Sequence, residues 1–216
     1  MKIIEPSLLS INKEQAQQQL KQIKDFGLDL VHYDVMDGKF VPPTALKTEY
    51  LKDLEALNIK PNIHLMVANP NEWIDLYKSY KVNSIAFHAE SQSIEESKQL
   101  LNKIKSLGFL AGFSVKPHTD LNQYKDLFAL ADIILIMSVE PGWAGQGFID
   151  DALVNLQKAN EAKKINSKLI IEIDGGINID KIKQLYNQVD WFVTGSWFFK
   201  NIGHMDQYLS EFKKLK

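Results

Sequence analysis

Short apolar runs recur along the chain, each followed by a stretch whose apolar residues are spaced like one face of a helix. The runs lie near residues 3–8, 28–36, 61–67, 83–88, 109–115, 132–138, 168–174 and 190–195, about 25 residues apart. From Asn12, the residues Ala16, Leu20, Ile23 and Phe26 keep near-helical spacing, and Gly27 supplies a left-handed stop. Ser93 and Glu96 form a capping-box pattern; Ile94, Leu101, Ile104 and Leu107 then line one face up to Gly108. Leu153, Leu156 and Ala159 behave in the same way. Strands alternating with helices predict βαβ units and a parallel sheet. An open doubly wound sheet shares that alternation. Eight units in 216 residues, with no linker or low-complexity stretch, favour closure into a single (β/α)8 (TIM) barrel domain over residues 1–216.

Functional groups of such barrels sit at the C-terminal ends of the strands. A strand has period two. In the second run, VHYDVMDG, His32, Asp34 and Met36 share one face and Val31, Tyr33 and Val35 the other. The aliphatic face suits the helix layer, so His32 and Asp34 point inward. The third run groups Asn62, His64 and Met66, and the seventh groups Ile170, Glu172 and Asp174. A single inward histidine is ordinarily a hydrogen-bonded core residue. Charged groups at matching heights on several strands are harder to explain by packing, because buried charge is costly unless paired or metal-bound. His32, Asp34, His64 and Asp174 offer two imidazoles and two carboxylates, enough for one divalent metal ion without sulfur. Zn, Mn, Fe and Co all suit that set. Met36, Met66 and Met137 end three runs, as core filler or as an apolar floor to a site.

Composition narrows the chemistry. There is no cysteine, which excludes disulfides, thiolate catalysis and sulfur-ligated zinc. A net charge of −2 gives no basic field for nucleic acid. All 25 basic residues are lysine, so no guanidinium fork can grip an anion. No apolar run reaches membrane-spanning length and no leader pattern opens the chain. A cytoplasmic protein, with no membrane partner, is expected, and a homo-oligomer is a reasonable expectation for such a barrel.

Glycines then suggest how an anion is held. Gly175 and Gly176 follow the seventh run; Gly195 and Ser196 follow the eighth, before a short helix predicted at Trp197–Lys200. Barrels often bind phosphate with these two loops and the helix after them. Gly142, Gly145 and Gly147, in SVEPGWAGQGF after the sixth run, suggest a mobile lid.

The chain resembles the ribulose-phosphate 3-epimerase family over nearly its whole length. The resemblance rests on PSLLS (6–10), VHYDVMDGKFVPP (31–43), IHLMVANP (63–70), FHAE (87–90), MSVEPGWAGQGF (137–148), IEIDGGIN (171–178) and VTGS (193–196), in the family's order and spacing. It implies a (β/α)8 barrel that interconverts D-ribulose 5-phosphate and D-xylulose 5-phosphate in the pentose phosphate pathway. One divalent metal would be held by His32, Asp34, His64 and Asp174, with Asp34 and Asp174 as the acid–base pair. Ser7 and His64 would meet the phosphorylated ketose. Gly142, Trp143, Ala144 and Gly145, with Gly175, Gly176, Gly195 and Ser196, would surround it and its phosphate. The sequence departs from the family at Lys39 (usually His), Pro43 (usually Asn) and Trp143-Ala144 (usually Phe-Gly). Ala144 also fits the related D-allulose 6-phosphate 3-epimerases; FHAE and DGGIN favour the pentose enzymes.

Two rivals come from other classes. Lys116, ending the fifth run in FSVKP, would suit a Schiff-base aldolase if held in an apolar pocket, although a polar residue at the mouth is the simpler reading. No D-x-K-x-x-D run supports a decarboxylase. A non-catalytic sugar-phosphate-binding barrel would be expected to lack a ligand or an Asp, and none is missing. His88 reads as barrel wall, His118 as exposed, and Glu172 as a hydrogen-bonding neighbour below Asp174.

Overall fold

A computed structural model describes residues 2–215. Eight strands run parallel: β1 (Ile3–Pro6), β2 (Leu30–Asp37), β4 (Lys60–Met66), β5 (Ser84–His88), β6 (Leu110–Val115), β7 (Ile133–Met137), β8 (Ile170–Asp174) and β9 (Trp191–Thr194). Each falls within or beside one of the eight apolar runs. A two-residue strand, β3 (Thr44–Ala45), pairs antiparallel with the end of β2. The order is β1-β9-β8-β7-β6-β5-β4-β2-β3, and a parallel bridge between Ser7 and His32 joins β1 to β2 and closes the ring.

Between strands in sequence lie α1 (Ala16–Asp25), α2 (Leu51–Ala56), α3 (Pro70–Ile74), α4 (Ile94–Ser106), α5 (Ala152–Ala162) and α6 (Ile179–Leu185), while α7 (Ser196–Lys200) and α8 (Met205–Phe212) follow β9. α4 begins with the expected capping box, Ser93 and Glu96 each accepting from the other's backbone N–H. Gly27 and Gly108 take left-handed conformations after α1 and α4. The segment after Asn12 departs from expectation: it begins as a 3-10 turn over Lys13–Gln15, capped by Asn12, and becomes α-helical only at Ala16.

The alternation of each strand separates two environments. Val31, Tyr33 and Val35 of β2, Ile63 and Leu65 of β4, and Ile171 and Ile173 of β8 join Leu20, Leu54, Leu101 and Leu156 in one core between barrel and helices. Each such side chain, fully buried, contributes about 1.5–3 kcal/mol. Inside the barrel the apolar groups are fewer: Ala86, Leu135, Met137 and Val139 cluster in one place, Met36, Val41 and Met66 in another. Elsewhere in the interior Ile133, Trp191 and Val193 share the inward faces with buried polar groups, and the site lies among the latter. No helix among the described residues is long and apolar enough to cross a membrane.

Candidate active site and metal centre

Register brings the inward polar groups to one level. Asp34 lies opposite His64, Met36 opposite Met66, and Asp174 opposite Met137. One ligand atom from each of His32, Asp34, His64 and Asp174 lies within 4.8 Å of the others. His32 Nε2 stands 3.3 Å from Asp34 Oδ1, 3.3 Å from His64 Nδ1 and 3.8 Å from Asp174 Oδ2. His64 Nδ1 is 3.2 Å from Asp34 Oδ1. Two ring nitrogens and two carboxylate oxygens aimed at one point form a donor set suited to a divalent cation.

Each histidine is backed by further groups. His32 Nδ1 lies 3.0 Å from Glu172 Oε1, the neighbour below Asp174. His64 Nε2 lies 3.0 Å from His88 Nε2, and His88 Nδ1 lies 3.3 Å from Glu90 Oε2. Ser7 Oγ donates to Asp34 Oδ2 at 2.7 Å. Below this level Glu5 is fully buried; Asn62 donates to its Oε2 at 2.6 Å, while its Oε1 has no partner among the described residues.

Burial and charge drive the carboxylates apart. Burial tends to raise Asp34, but the charge of His32 and hydrogen bonds from His32 and His64 outweigh it and hold Asp34 far below the usual carboxylate range. Asp174 is pushed up to about 7, first by burial and then by the charges of Asp34 and Glu172, against the opposing charge of His32. Burial acts to lower His32, yet Asp34 and then the bond to Glu172 hold it well above its ordinary value. Burial lowers His64 to about 3 against its hydrogen bond to Asp34. Glu5, chiefly through burial and then the charge of Glu172, is raised well above the ordinary carboxylate value.

A cleft of about 310 Å³ opens above this cluster. Ser7, Asp34 and Asp174 line it together with Met36, Met66 and Met137. Gly142, Trp143, Ala144 and Gly145 form one side, and Gly175, Gly176, Gly195 and Ser196 another. His32 and His64 lie buried beneath, outside that lining. Gly175 and Gly176 have φ of 120° and 63°; a Cβ on Gly175 would meet Val139 Cγ2 at 2.6 Å, and one on Gly176 the Phe148 N at 2.6 Å. Both positions require glycine. Trp143, at the loop tip, is 61% exposed.

Other sequence candidates separate. Lys116 is not among the residues lining the cleft; its Nζ lies 4.6 Å from the centroid of the Phe40 ring. His118 is exposed, with Nδ1 3.1 Å from Asp151. His88 is in the wall, as expected, but its contact with His64 went unforeseen, as did the buried Glu5. Both sit on inward faces that period two marks: Ser84, Ala86 and His88 on β5, and Ile3, Glu5 and Ser7 along β1. Lys200 and Asn201 also line the cleft, and nothing in their spacing pointed to them.

The closed ring, its polar interior and a carboxylate-floored cleft at the strand ends define a (β/α)8-barrel enzyme. Solved barrels share the fold at low identity: KGPDC from Streptococcus mutans has a TM-score of 0.68 at 12% identity, covering 100% of this chain and 99% of that one. Tryptophan synthase from M. tuberculosis gives 0.66 at 9%, covering 98% and 91%. The chain belongs to the ribulose-phosphate 3-epimerase family, whose sequence model matches residues 3–199. The ribulose-phosphate 3-epimerase of Mycoplasma genitalium is 42% identical over 175 residues, 81% of each chain. That of Helicobacter pylori is 33% identical over 201 residues, 92% of this chain and 91% of its own.

Proposed function

We propose that the chain inverts C3 of D-ribulose 5-phosphate to give D-xylulose 5-phosphate, with Asp34 and Asp174 as the acid–base pair. The observation that carries this is the pair itself: two carboxylates on the cleft floor, from well-separated strands, with proton affinities driven in opposite directions. Inversion needs a proton removed on one face of the substrate and another delivered to the opposite face. A pair whose environments separate their protonation states suits that task.

His32, Asp34, His64 and Asp174 fit a divalent ion by donor type and convergence. When bound, Zn, Mn, Fe or Co would supply Lewis-acid stabilisation for charge developing beside the substrate carbonyl. The residues of the chain do the remainder. One Asp takes the C3 proton, leaving an enediolate, and the other returns a proton from across the sugar plane. Ser7 orients Asp34. Met36, Met66 and Met137 keep the floor apolar and exclude water. Backbone N–H groups around Gly175, Gly176, Gly195 and Ser196 receive the phosphate, as a chain without arginine requires. The loop Gly142, Trp143, Ala144 and Gly145 closes over the sugar. The reading makes this a cytoplasmic enzyme of carbohydrate metabolism.

Ala144 favours a second substrate, D-allulose 6-phosphate. Exchange of the C3 proton with deuterated water, followed by NMR with and without a chelator, tests both sugars. Metal-dependent exchange on ribulose 5-phosphate with appearance of xylulose 5-phosphate is expected. Exchange on the hexose alone would move the assignment to that substrate. Exchange on neither sugar, after each metal has been restored, would overturn both.

A further inference from the structure

We infer that His88 and Glu90 are positioning residues that fix which nitrogen His64 offers to a metal ion, an inference that rests on the metal centre proposed above. His64 and His88 are fully buried, their rings meeting through the two Nε2 edges with centroids 5.0 Å apart and planes at 30°. Phe40 also packs against His88, with ring centroids 4.8 Å apart.

The 3.0 Å contact between His64 Nε2 and His88 Nε2 holds one proton. Two lone pairs would repel at that distance and two N–H groups would collide. With His64 Nδ1 facing Asp34 Oδ1 and His32 Nε2 at 3.2 and 3.3 Å, a cation among those atoms requires the Nδ1 lone pair. The His64 proton then sits on Nε2 and is donated to His88. His88 must keep its own proton on Nδ1, which faces Glu90 Oε2 at 3.3 Å. Glu90 is itself anchored, since its Oε1 accepts the backbone N–H of Lys116 at 2.6 Å. The chain runs from Glu90 through His88 to His64 with every donor matched to an acceptor.

The reverse order, with His88 donating to His64, puts the His64 proton on Nδ1 and blocks the ligand position. Glu90 and His88 therefore do for His64 what Glu172 does directly for His32 at 3.0 Å. Both ligand histidines are backed by a glutamate, one of them at one ring's remove. Such partners set tautomer and orientation, and their loss typically costs 10–100-fold in metal affinity.

The test uses the full chain loaded with Zn²⁺ and ¹⁵N-labelled at histidine. Long-range ¹H–¹⁵N spectra should show His64 bound through Nδ1 and protonated at Nε2, with His88 protonated at Nδ1 only. Binding of His64 through Nε2, or a proton on His88 Nε2, would overturn the inference. In competition with a chromophoric chelator, His88→Leu should bind Zn²⁺ about 10–100-fold more weakly. His88→Gln, whose amide can accept from His64 and donate to Glu90, should recover most of that loss. Co²⁺ absorption should shift in His88→Leu and return towards wild type in His88→Gln. Equal affinity and spectra in wild type and His88→Leu, with folding confirmed by circular dichroism, would refute the relay alone. A wild-type chain that bound no stoichiometric metal would remove the metal centre, and the inference with it.

Discussion

Ser7 Oγ donates a 2.7 Å hydrogen bond to Asp34 Oδ2 beside the seam where the barrel closes. Asp34 Oδ1 is left to face the ring nitrogens of His32 and His64. One hydroxyl thus decides how the carboxylate is turned. A hydrogen bond to a charged group contributes about 1.5–3 kcal/mol, so Ser7→Ala should lower kcat/KM by about tenfold to a hundredfold. Steady-state kinetics on ribulose 5-phosphate provide the check, and an unchanged value would remove Ser7 from this role.

Asp34→Asn and Asp174→Asn each keep the shape of the side chain and remove its ability to exchange a proton. Loss of general acid–base catalysis costs about 10²–10⁴-fold, and the ligand set is weakened as well. Turnover should fall at least that far in either variant while circular dichroism stays unchanged. Near-normal turnover in either one would end its assignment to the pair.

The metal-stripped protein should become less stable as the pH rises towards neutrality. Asp174 holds its proton up to about 7 when folded and only to its ordinary 3.8 when unfolded. Between those values Asp174 binds fewer protons in the unfolded chain, as does the likewise raised Glu5. Together they outweigh His64, whose lowering to about 3 acts the opposite way up to 6.5, so the net effect of rising pH is to favour unfolding. His32 acts in the same direction in a later window: it is raised above 6.5, so its stabilisation is present below that value and lost as the pH passes its folded value. Both protons obstruct a cation, so stabilisation by added Zn²⁺ or Co²⁺ should grow with pH. Melting temperatures of chelator-treated and metal-loaded protein across this range provide the measurement; parallel, flat curves would contradict it.

Gly175→Ala should damage fold and activity together. Its φ is 120°, and the added Cβ would lie 2.6 Å from Val139 Cγ2 and 2.8 Å from Val139 N. Backbone strain and overpacking together cost at least about 2 kcal/mol. Denaturant unfolding at matched pH measures it. A variant as stable as wild type would mean that the loop after β8 relaxes freely.

Much of this architecture was legible because period two and period 3.6 leave different marks. The eight apolar runs matched eight parallel strands, and the inward positions of β2, β4 and β8 delivered His32, Asp34, His64 and Asp174 to one point. β3 left no such mark, since two residues after Pro42 and Pro43 are too few to alternate. The 3-10 turn before α1 was hidden because Asn12 caps either kind of helix. His88 and Glu5 lay on readable faces, but what they touch depends on register across the barrel. Glu90 and Lys200 stand in a turn and at a helix end, where no periodicity operates.

The pairing of β1 with β9 has a consequence for how the chain is made. β1 pairs with β9, Ile3 against Trp191 and Pro6 against Thr194, so β1 is held on that side only by a segment made far later. Contacts across such a separation form late. Ser7 lies only 27 residues from Asp34 and can reach it early through the bridge to His32, whereas the β1–β9 pairing must wait until residues 191–194 have been made. A nascent chain could align β2 and β4 early, with His32, Asp34 and His64 already side by side, yet it would lack both the β1–β9 pairing and the second aspartate. Turnover is therefore a signal of completed closure, and a slow last step in folding would show as a lag in activity rather than in helix content.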